Sequence, residues 1–362
     1  MSNVRVGILG YGVIGRRLAD AVNVQSDMEL TGISGRSNSF SLRDAMWQGY
    51  DIYVSSAIGL REVAARLPTI QGEFADLLAK IDVLLDCTPS GVPQQHRELL
   101  ESVPNLVTIV QGGETSGSCE ASFHSMTNFN EVAGEKRIRV ISCSSTGTTR
   151  FLYALDRAFG VQQAFVTLTR RSADPGKLSK VPLNSLVPTM GPSHHARDVN
   201  SVFRNLRLAS VSVNCPTTFG HVLHFQVDLQ GNATRKQIIA ALQMIPRVVV
   251  GRGIRSTAEL AERYVELGRR RGDRPEIYVF EESLAVNGST VMAAISVHME
   301  SITIPETVDC IRAALRRTDD PWESIEKTDR ALGIWRSDAS YSGPDRSLQN
   351  GGSNGLNANL NS

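Results

Sequence analysis

Two stretches hold residue types and spacings that could do chemistry: Arg137-Ile-Arg-Val-Ile-Ser-Cys-Ser-Ser-Thr146 and Gly10-Tyr-Gly-Val-Ile-Gly15. In the first, a run of β-branched residues predicts a strand ending at Cys143. Hydroxyl residues Ser144, Ser145 and Thr146 follow, then Gly147 and a helical segment over Thr148–Phe159. A thiol between a strand and a helix N-terminus meets positive dipole and free backbone N–H groups, which favour the thiolate. The same N–H groups can hold the oxyanion formed when that sulfur attacks a carbonyl. In the second stretch, glycines follow the apolar strand Val4–Leu9 and open an amphipathic helix. That context predicts a dinucleotide site. Gly10 permits the tight turn, Gly12 lets a pyrophosphate approach the backbone, and Gly15 lets helix and strand pack closely. The helix N-terminus receives the phosphates.

These residues need a scaffold, and the hydrophobic pattern supplies one. The strand Glu29–Ser34 ends in Gly35-Arg36-Ser37, with no acidic residue to bind a ribose 2′-hydroxyl. Arg36 could instead hold a 2′-phosphate, so NADP is the expected cofactor, with NAD also usable. Val83–Gly91 and Leu106–Glu114 repeat the pattern of strand then glycine turn. Strands alternating with helices predict an α/β fold, a Rossmann domain whose ligand sits at the strands' C-terminal ends. Cys143 also follows a strand, which turns thiol and cofactor toward one crevice. Beyond residue 150 the alternating segments Gln163–Arg171, Ala209–Cys215, His221–Leu229 and Thr290–His298 predict a mixed or antiparallel sheet. Helices are expected over Arg235–Gln243 and Ser256–Arg270, making this second unit an α+β domain. Closing helices over Pro305–Arg317 and Pro321–Leu332 are expected to pack back on the first domain. The predicted division is 1–142 plus 303–336 for the dinucleotide domain and 143–302 for the catalytic domain. A Ser/Gly/Asn-rich tail, 337–362, holds too little apolar content to fold.

A chain of 362 residues exceeds one ordinary core. Its formal charge of +1 gives no electrostatic case for nucleic acid or an anionic membrane. No apolar run approaches the roughly 20 residues of a membrane span. The N-terminus runs straight into a strand pattern, without a signal-peptide pattern. The five cysteines are odd in number, scattered and without metal-ligand spacing. The expectation is a reduced, cytoplasmic enzyme without a metal.

Taken together, the residues resemble the archaeal-type (type II) phosphorylating glyceraldehyde-3-phosphate dehydrogenases from about Val4 to Ile334. The resemblance rests on ordered blocks: Gly-Tyr-Gly-x-x-Gly at 10–15, Asp86-x-Thr-Pro-x-Gly-Val92, Gln111-Gly-Gly-Glu114 and Ile141-Ser-Cys143. It continues with Arg170-Arg-x-Ala-Asp174, Asn184-Ser-Leu-Val-Pro188, Ser193-His-His-Ala-Arg-Asp-Val-Asn-Ser201, Pro216-Thr-Thr218 before His221, and Val297-His-x-Glu-Ser301. The resemblance implies oxidation of an aldehyde through a cysteine thioester, which inorganic phosphate cleaves to an acyl phosphate. Cys143 matches the nucleophile. His221 matches the histidine that activates the thiol and removes the hydroxyl proton as hydride leaves. His194 and His195 match a substrate-binding pair, and Ser144 and Ser145 match substrate-binding positions after the nucleophile. Arg171 matches a cofactor-contacting arginine, and Arg170 beside it could ligate an anion. Val13, Ile14 and Gly112 match cofactor contacts. Relatives are homotetramers, and the same is expected here.

Three residues depart from the family pattern. Leu9 and Ser144 stand where the family has Asn, and Met299 stands where it has Gln. All three positions are expected to face the cofactor or the reacting carbon, and neither Leu9 nor Met299 can donate an amide N–H. They keep open a different aldehyde, or an acyl phosphate, as substrate of the same thioester chemistry. From another class comes a dinucleotide-binding sensor without turnover, for which the pair Cys143 and His221 would have no use.

Overall fold

The computed structural model describes residues 2–35, 40–54, 70–111, 116–172, 181–182 and 184–334. The first of two sheets contains β1 (Val4–Leu9), β2 (Met28–Gly35), β3 (Ile52–Val54), β4 (Ile70–Glu73), β5 (Val83–Asp86), β6 (Val107–Val110), β7 (Ala121–Phe123) and β8 (Arg137–Val140). They are ordered β4-β3-β2-β1-β5-β6-β8-β7, and every pairing is parallel. The order reverses between β1 and β5, and the crevice at their C-terminal ends is where such a sheet takes a nucleotide. The helix Val13–Asn23 starts at that crevice.

The second sheet contains β9 (Val161–Arg171), β10 (Val187–Pro188), β11 (Leu208–Cys215), β12 (His221–Leu229), β13 (Val248–Gly251), β14 (Ile277–Phe280), β15 (Ala285–Asn287) and β16 (Thr290–Val297). Its order is β10-β11-β9-β12-β16-β14-β13, with β15 added on β16. Parallel pairs (β11 with β9, β13 with β14) mix with antiparallel ones. Two register facts matter for the site. His221 lies opposite Val297, and Arg171 opposite Cys215, so both residues stand at one end of the sheet.

Each sheet buries its own apolar cluster. The helix Thr303–Ala314 joins the first through Ile304, Val308, Ile311 and Ala314. The helix Pro321–Leu332 does not pack back on the first cluster alone, because Ile325 and Trp322 join the second and Leu332 the first. Charge joins the two halves where apolar contact ends. Arg247, fully buried, reaches Asp329 and Asp309 at 2.7 Å and Glu306 at 3.2 Å. Arg150, on the helix that carries Cys143, meets Glu306 at 2.7 Å. At the other end, Arg17 of the first helix pairs with Asp273 at 2.7 Å. Among the described residues no helix is long and apolar enough to cross a membrane.

Candidate active site

The helix bearing the thiol begins earlier than its composition predicts. It spans Cys143–Phe159, so Cys143 is its first residue and Gly147 lies inside it. Ser142 is the N-cap; its Oγ accepts the Ser145 N–H at 3.4 Å and lies 2.9 Å from Ser145 Oγ. The run Ser144-Ser-Thr-Gly-Thr-Thr149 resembles a loop by propensity, but all of it is buried in helix. Packing overrides propensity here. Gly147 has a specific reason to be glycine: an added Cβ would lie 2.5 Å from Val297 Cγ2.

Cys143 does not rest as the thiolate that its helix position favours. Burial pushes the thiol up from its ordinary range, and the Glu300 charge pushes in the same direction. The Arg170 guanidinium and the Ser144 N–H and hydroxyl pull against these without prevailing. The dipole of one helix end is worth only about 1 kcal/mol, less than the cost of desolvating a sulfur anion.

His221 opens β12 and is fully buried. Its Nδ1 accepts the peptide N–H of Arg171 at 3.0 Å. An amide N–H can only donate, so the neutral ring must carry its proton at Nε2, which has no protein partner. Burial, reinforced by the charges of Arg170 and Arg171, holds the ring neutral, with a pKa lowered to about 3. This polarity is the reverse of that expected for a base. Nε2 offers a proton rather than accepting one.

Around these two groups the structure gathers the other anion ligands expected from the sequence. The charge of Arg170, at the end of β9, acts on Cys143, His194, His195 and His221 alike. Its Nε is buried without a hydrogen-bond partner, and no ion pair holds it among the described residues. His194 and His195 stack with ring centres 4.1 Å apart. His194 is exposed, whereas His195 is buried, its Nδ1 against Ser193 Oγ. Burial, then the charges of His194 and Arg170, lowers His195 to about 2. Asp198, one turn along, reaches Ser145 Oγ at 3.5 Å and Arg139 at 3.2 Å, tying the histidine helix to the thiol helix. The Ser144 hydroxyl is buried, and the Cys143 thiol is the group it acts on. Ser145, in contrast, is committed to its own N-cap and to Asp198.

The glycine cradle has the shape that a dinucleotide needs. Gly10 has φ +91°, and Gly15 packs so closely that an added Cβ would meet Gly10 O at 2.0 Å. A Cβ on Gly12 would meet nothing within 4 Å, which leaves open space in front of the helix N-cap. No acidic residue occupies that helix's first turn to repel a phosphate. Val13 is exposed at the helix start and Ile14 half-buried beneath it. These residues fit NAD or NADP. Arg36 and Gly112 lie outside the described residues.

Two expected site residues are placed differently. Leu9 does not face the cofactor: it is 4% exposed, packed with Tyr53, Leu77 and Leu84 on the opposite side of the sheet. The Arg171 side chain is turned inward to an ion pair with Glu300 and a 2.8 Å hydrogen bond to the Thr218 carbonyl. Met299 is half-buried in the turn after β16.

Comparison with known proteins places the chain in a family. The family model described as the glyceraldehyde 3-phosphate dehydrogenase C-terminal domain matches residues 142–262, a span that holds Cys143, Arg170, His194, His195 and His221. Relatives named glyceraldehyde-3-phosphate dehydrogenase match nearly the whole chain. That of Methanobacterium bryantii is 39% identical over 91% of this chain and 99% of its own. The protein from Hyperthermus butylicus is 37% identical over 92% and 98%. That from Metallosphaera sedula is 36% identical over 91% and 98%.

The chain belongs to the archaeal-type glyceraldehyde-3-phosphate dehydrogenases.

Within this site, sequence reasoning assigned no part to Glu300, His298, Asp198 or Arg139. A signal existed for the last: Arg137 and Arg139 alternate with apolar residues in a strand that proves buried throughout, and a buried cation requires a partner. For Glu300 no local signal existed, because its partner Arg171 is distant in the chain.

Proposed function

We propose that this chain catalyses the phosphorylating oxidation of glyceraldehyde 3-phosphate through a thioester on Cys143. The single observation that carries the assignment of roles is the convergence of thiol, unpartnered imidazole Nε2–H and the Arg170 guanidinium in one site. Bound NAD or NADP supplies the hydride acceptor. Cys143, once its thiol proton has left to solvent, attacks the aldehyde carbon and leaves an alkoxide. The Nε2–H of His221 donates to that oxygen, an electrostatic stabilisation usually worth about 3–4 kcal/mol per donor. Because the oxygen is held as an alkoxide, it can expel hydride with no proton left to remove. His221 thereby acts as donor first, and accepts no proton at Nε2 while the Arg171 N–H occupies Nδ1. Arg170, His194 and His195 provide fixed charge and donors for the phosphate groups of substrate and co-substrate. Ser144 supplies a hydroxyl beside the sulfur.

The chain divides, on this reading, into a dinucleotide domain of residues 1–142 and 303–336 and a catalytic domain of 143–302. Assembly as a homotetramer is supported by Phe165, Val211 and Met292, which expose 42%, 39% and 44% of their surface on the second sheet. The described cysteines are all free, in keeping with a reducing cytoplasmic setting. Light scattering on the purified protein tests the tetramer.

The deciding experiment is reduction of NADP and of NAD with glyceraldehyde 3-phosphate, with and without inorganic phosphate, beside Cys143→Ser. Phosphate-dependent turnover, absent in the variant, is expected. Turnover that persists in Cys143→Ser would sink the thioester route. The ratio of the two coenzymes tests Arg36 as a 2′-phosphate ligand.

A further inference from the structure

The chain leaving β16 runs past His221, because His221 pairs with Val297 and residues 298–301 follow directly. Glu300 is 2% exposed, and its two buried carboxylate oxygens are held by charge contacts rather than by aligned hydrogen bonds. One meets the Arg171 guanidinium; the other lies 3.3 Å from His298 Nε2. His298 is itself held, with Nδ1 2.6 Å from Ser301 Oγ, and Ser301 Oγ accepts the Arg274 N–H at 2.9 Å. Glu300 is therefore a buried anion anchored from behind.

Arg171 converts this anchor into a position for His221. Its guanidinium is shared between Glu300 and the carbonyl of Thr218, in the loop that leads into His221. Its peptide N–H is the donor that occupies His221 Nδ1. One residue thus sets the entry of the loop and the tautomer of the ring. Without the carboxylate, the buried Arg171 cation loses the charge partner that holds it on this side, and its guanidinium is freer to shift.

We infer that Glu300 is a positioning residue of the reaction: through Arg171 it keeps His221 Nε2–H on the reacting oxygen, and its charge offsets that of Arg170 beside Cys143. The inference rests on the roles proposed above for Cys143 and His221. It has two consequences that point in opposite directions. Charged groups acting on Cys143 include Arg170 from β9 and Glu300 from the turn after β16, while the buried His195 and His221 beside it are held neutral. Removing the Glu300 charge takes away an influence that pushes the thiol up, so Cys143 ionises at lower pH. The same change loosens His221 and slows turnover. A more reactive thiol in a slower enzyme is not the mark of a general loss of structure.

The test compares wild type, Glu300→Gln, Glu300→Asp and His221→Ala. It measures kcat, KM and the pH dependence of iodoacetamide alkylation at each cysteine, resolved by peptide mapping. Glu300→Gln is expected to lose about 10- to 100-fold in kcat, the scale of an ångström-sized misplacement, with a smaller change in KM. Its Cys143 alkylation profile moves to lower pH while the other four cysteines react as in wild type. Glu300→Asp keeps the charge but shortens the reach, so it loses kcat and leaves the profile in place. Wild-type kcat or an unmoved profile in Glu300→Gln, beside an inactive His221→Ala, overturns this inference alone. An active His221→Ala overturns the role of His221 itself, and this inference with it.

Discussion

Gly147→Ala separates packing from propensity in the helix that carries the nucleophile. By propensity alone, alanine inside a helix is favoured over glycine by about 1 kcal/mol. The surroundings reverse the sign. The new methyl would lie 2.5 Å from Val297 Cγ2, 3.4 Å from Ile277 Cγ2 and 3.6 Å from Ile302 Cδ1. Carbon atoms rest at about 3.5–4.0 Å, so helix and sheet must part by about 1 Å. Overpacking of this kind costs about 1–3 kcal/mol, leaving a net destabilisation of about 0–2 kcal/mol. Activity should suffer more. Cys143 lies one turn before Gly147, and Val297 is the cross-strand partner of His221. Parting helix from sheet therefore moves thiol and imidazole relative to each other, which costs about 100-fold in kcat. Urea unfolding measures the first quantity and steady-state kinetics the second. Val297→Ala, added to Gly147→Ala, removes the obstructing methyl and should recover most of the activity. A Gly147→Ala protein of raised stability and wild-type kcat would refute the packing reasoning, as would a defect that the second substitution leaves untouched.

Other expectations are open to simpler measurement. Because burial holds the Cys143 thiol above its ordinary range, alkylation of the unliganded enzyme should speed up about tenfold per pH unit from about pH 6 to 8; a rate already level at neutrality would contradict this. His124 and His221 are buried and neutral, with pKa values lowered to about 4 and about 3. The unfolded chain binds protons at both below about pH 6.5 while the folded chain does not, so stability falls as pH drops through that value, by at most about 1.4 kcal/mol per unit for each. His124→Gln should lessen the slope of unfolding free energy against pH by about one proton, and an unchanged slope would count against it. Arg247→Met strands Glu306, Asp309 and Asp329 without their shared cation and should cost about 3–5 kcal/mol in urea unfolding. A loss below about 1 kcal/mol would mean that the network carries little of the link between the two halves.

How much of this was legible beforehand depended on the range of the cause. The glycine cradle could be read directly, because the turn at Gly10 and the close approach at Gly15 are demands made within six residues of chain. The strand His221–Leu229 could be read for the same reason, since alternation along one strand reports which face is buried. Leu9 was misjudged because β1 is buried on both faces, so its sequence carries no alternation to tell the cofactor side from the core side. The start of the thiol helix was misplaced because hydroxyl residues and a glycine have low helix propensity, and only the packing against Val297 and Ile302 makes them helical.

The sequence by itself determined that there is a dinucleotide cradle, a thiol at a strand end and a family in which both belong. Those are matters of local geometry and of ordered blocks. Whether the thiol rests ionised, which nitrogen of His221 holds the proton, and what anchors Arg171 were decided only by the tertiary structure. Each is an electrostatic outcome set by burial and by partners from other strands: the peptide N–H of a residue 50 positions away in one case, a carboxylate beyond the end of β16 in another. Charge interactions act through space in a low dielectric, and the register of β9, β12 and β16 puts those groups within reach of one another.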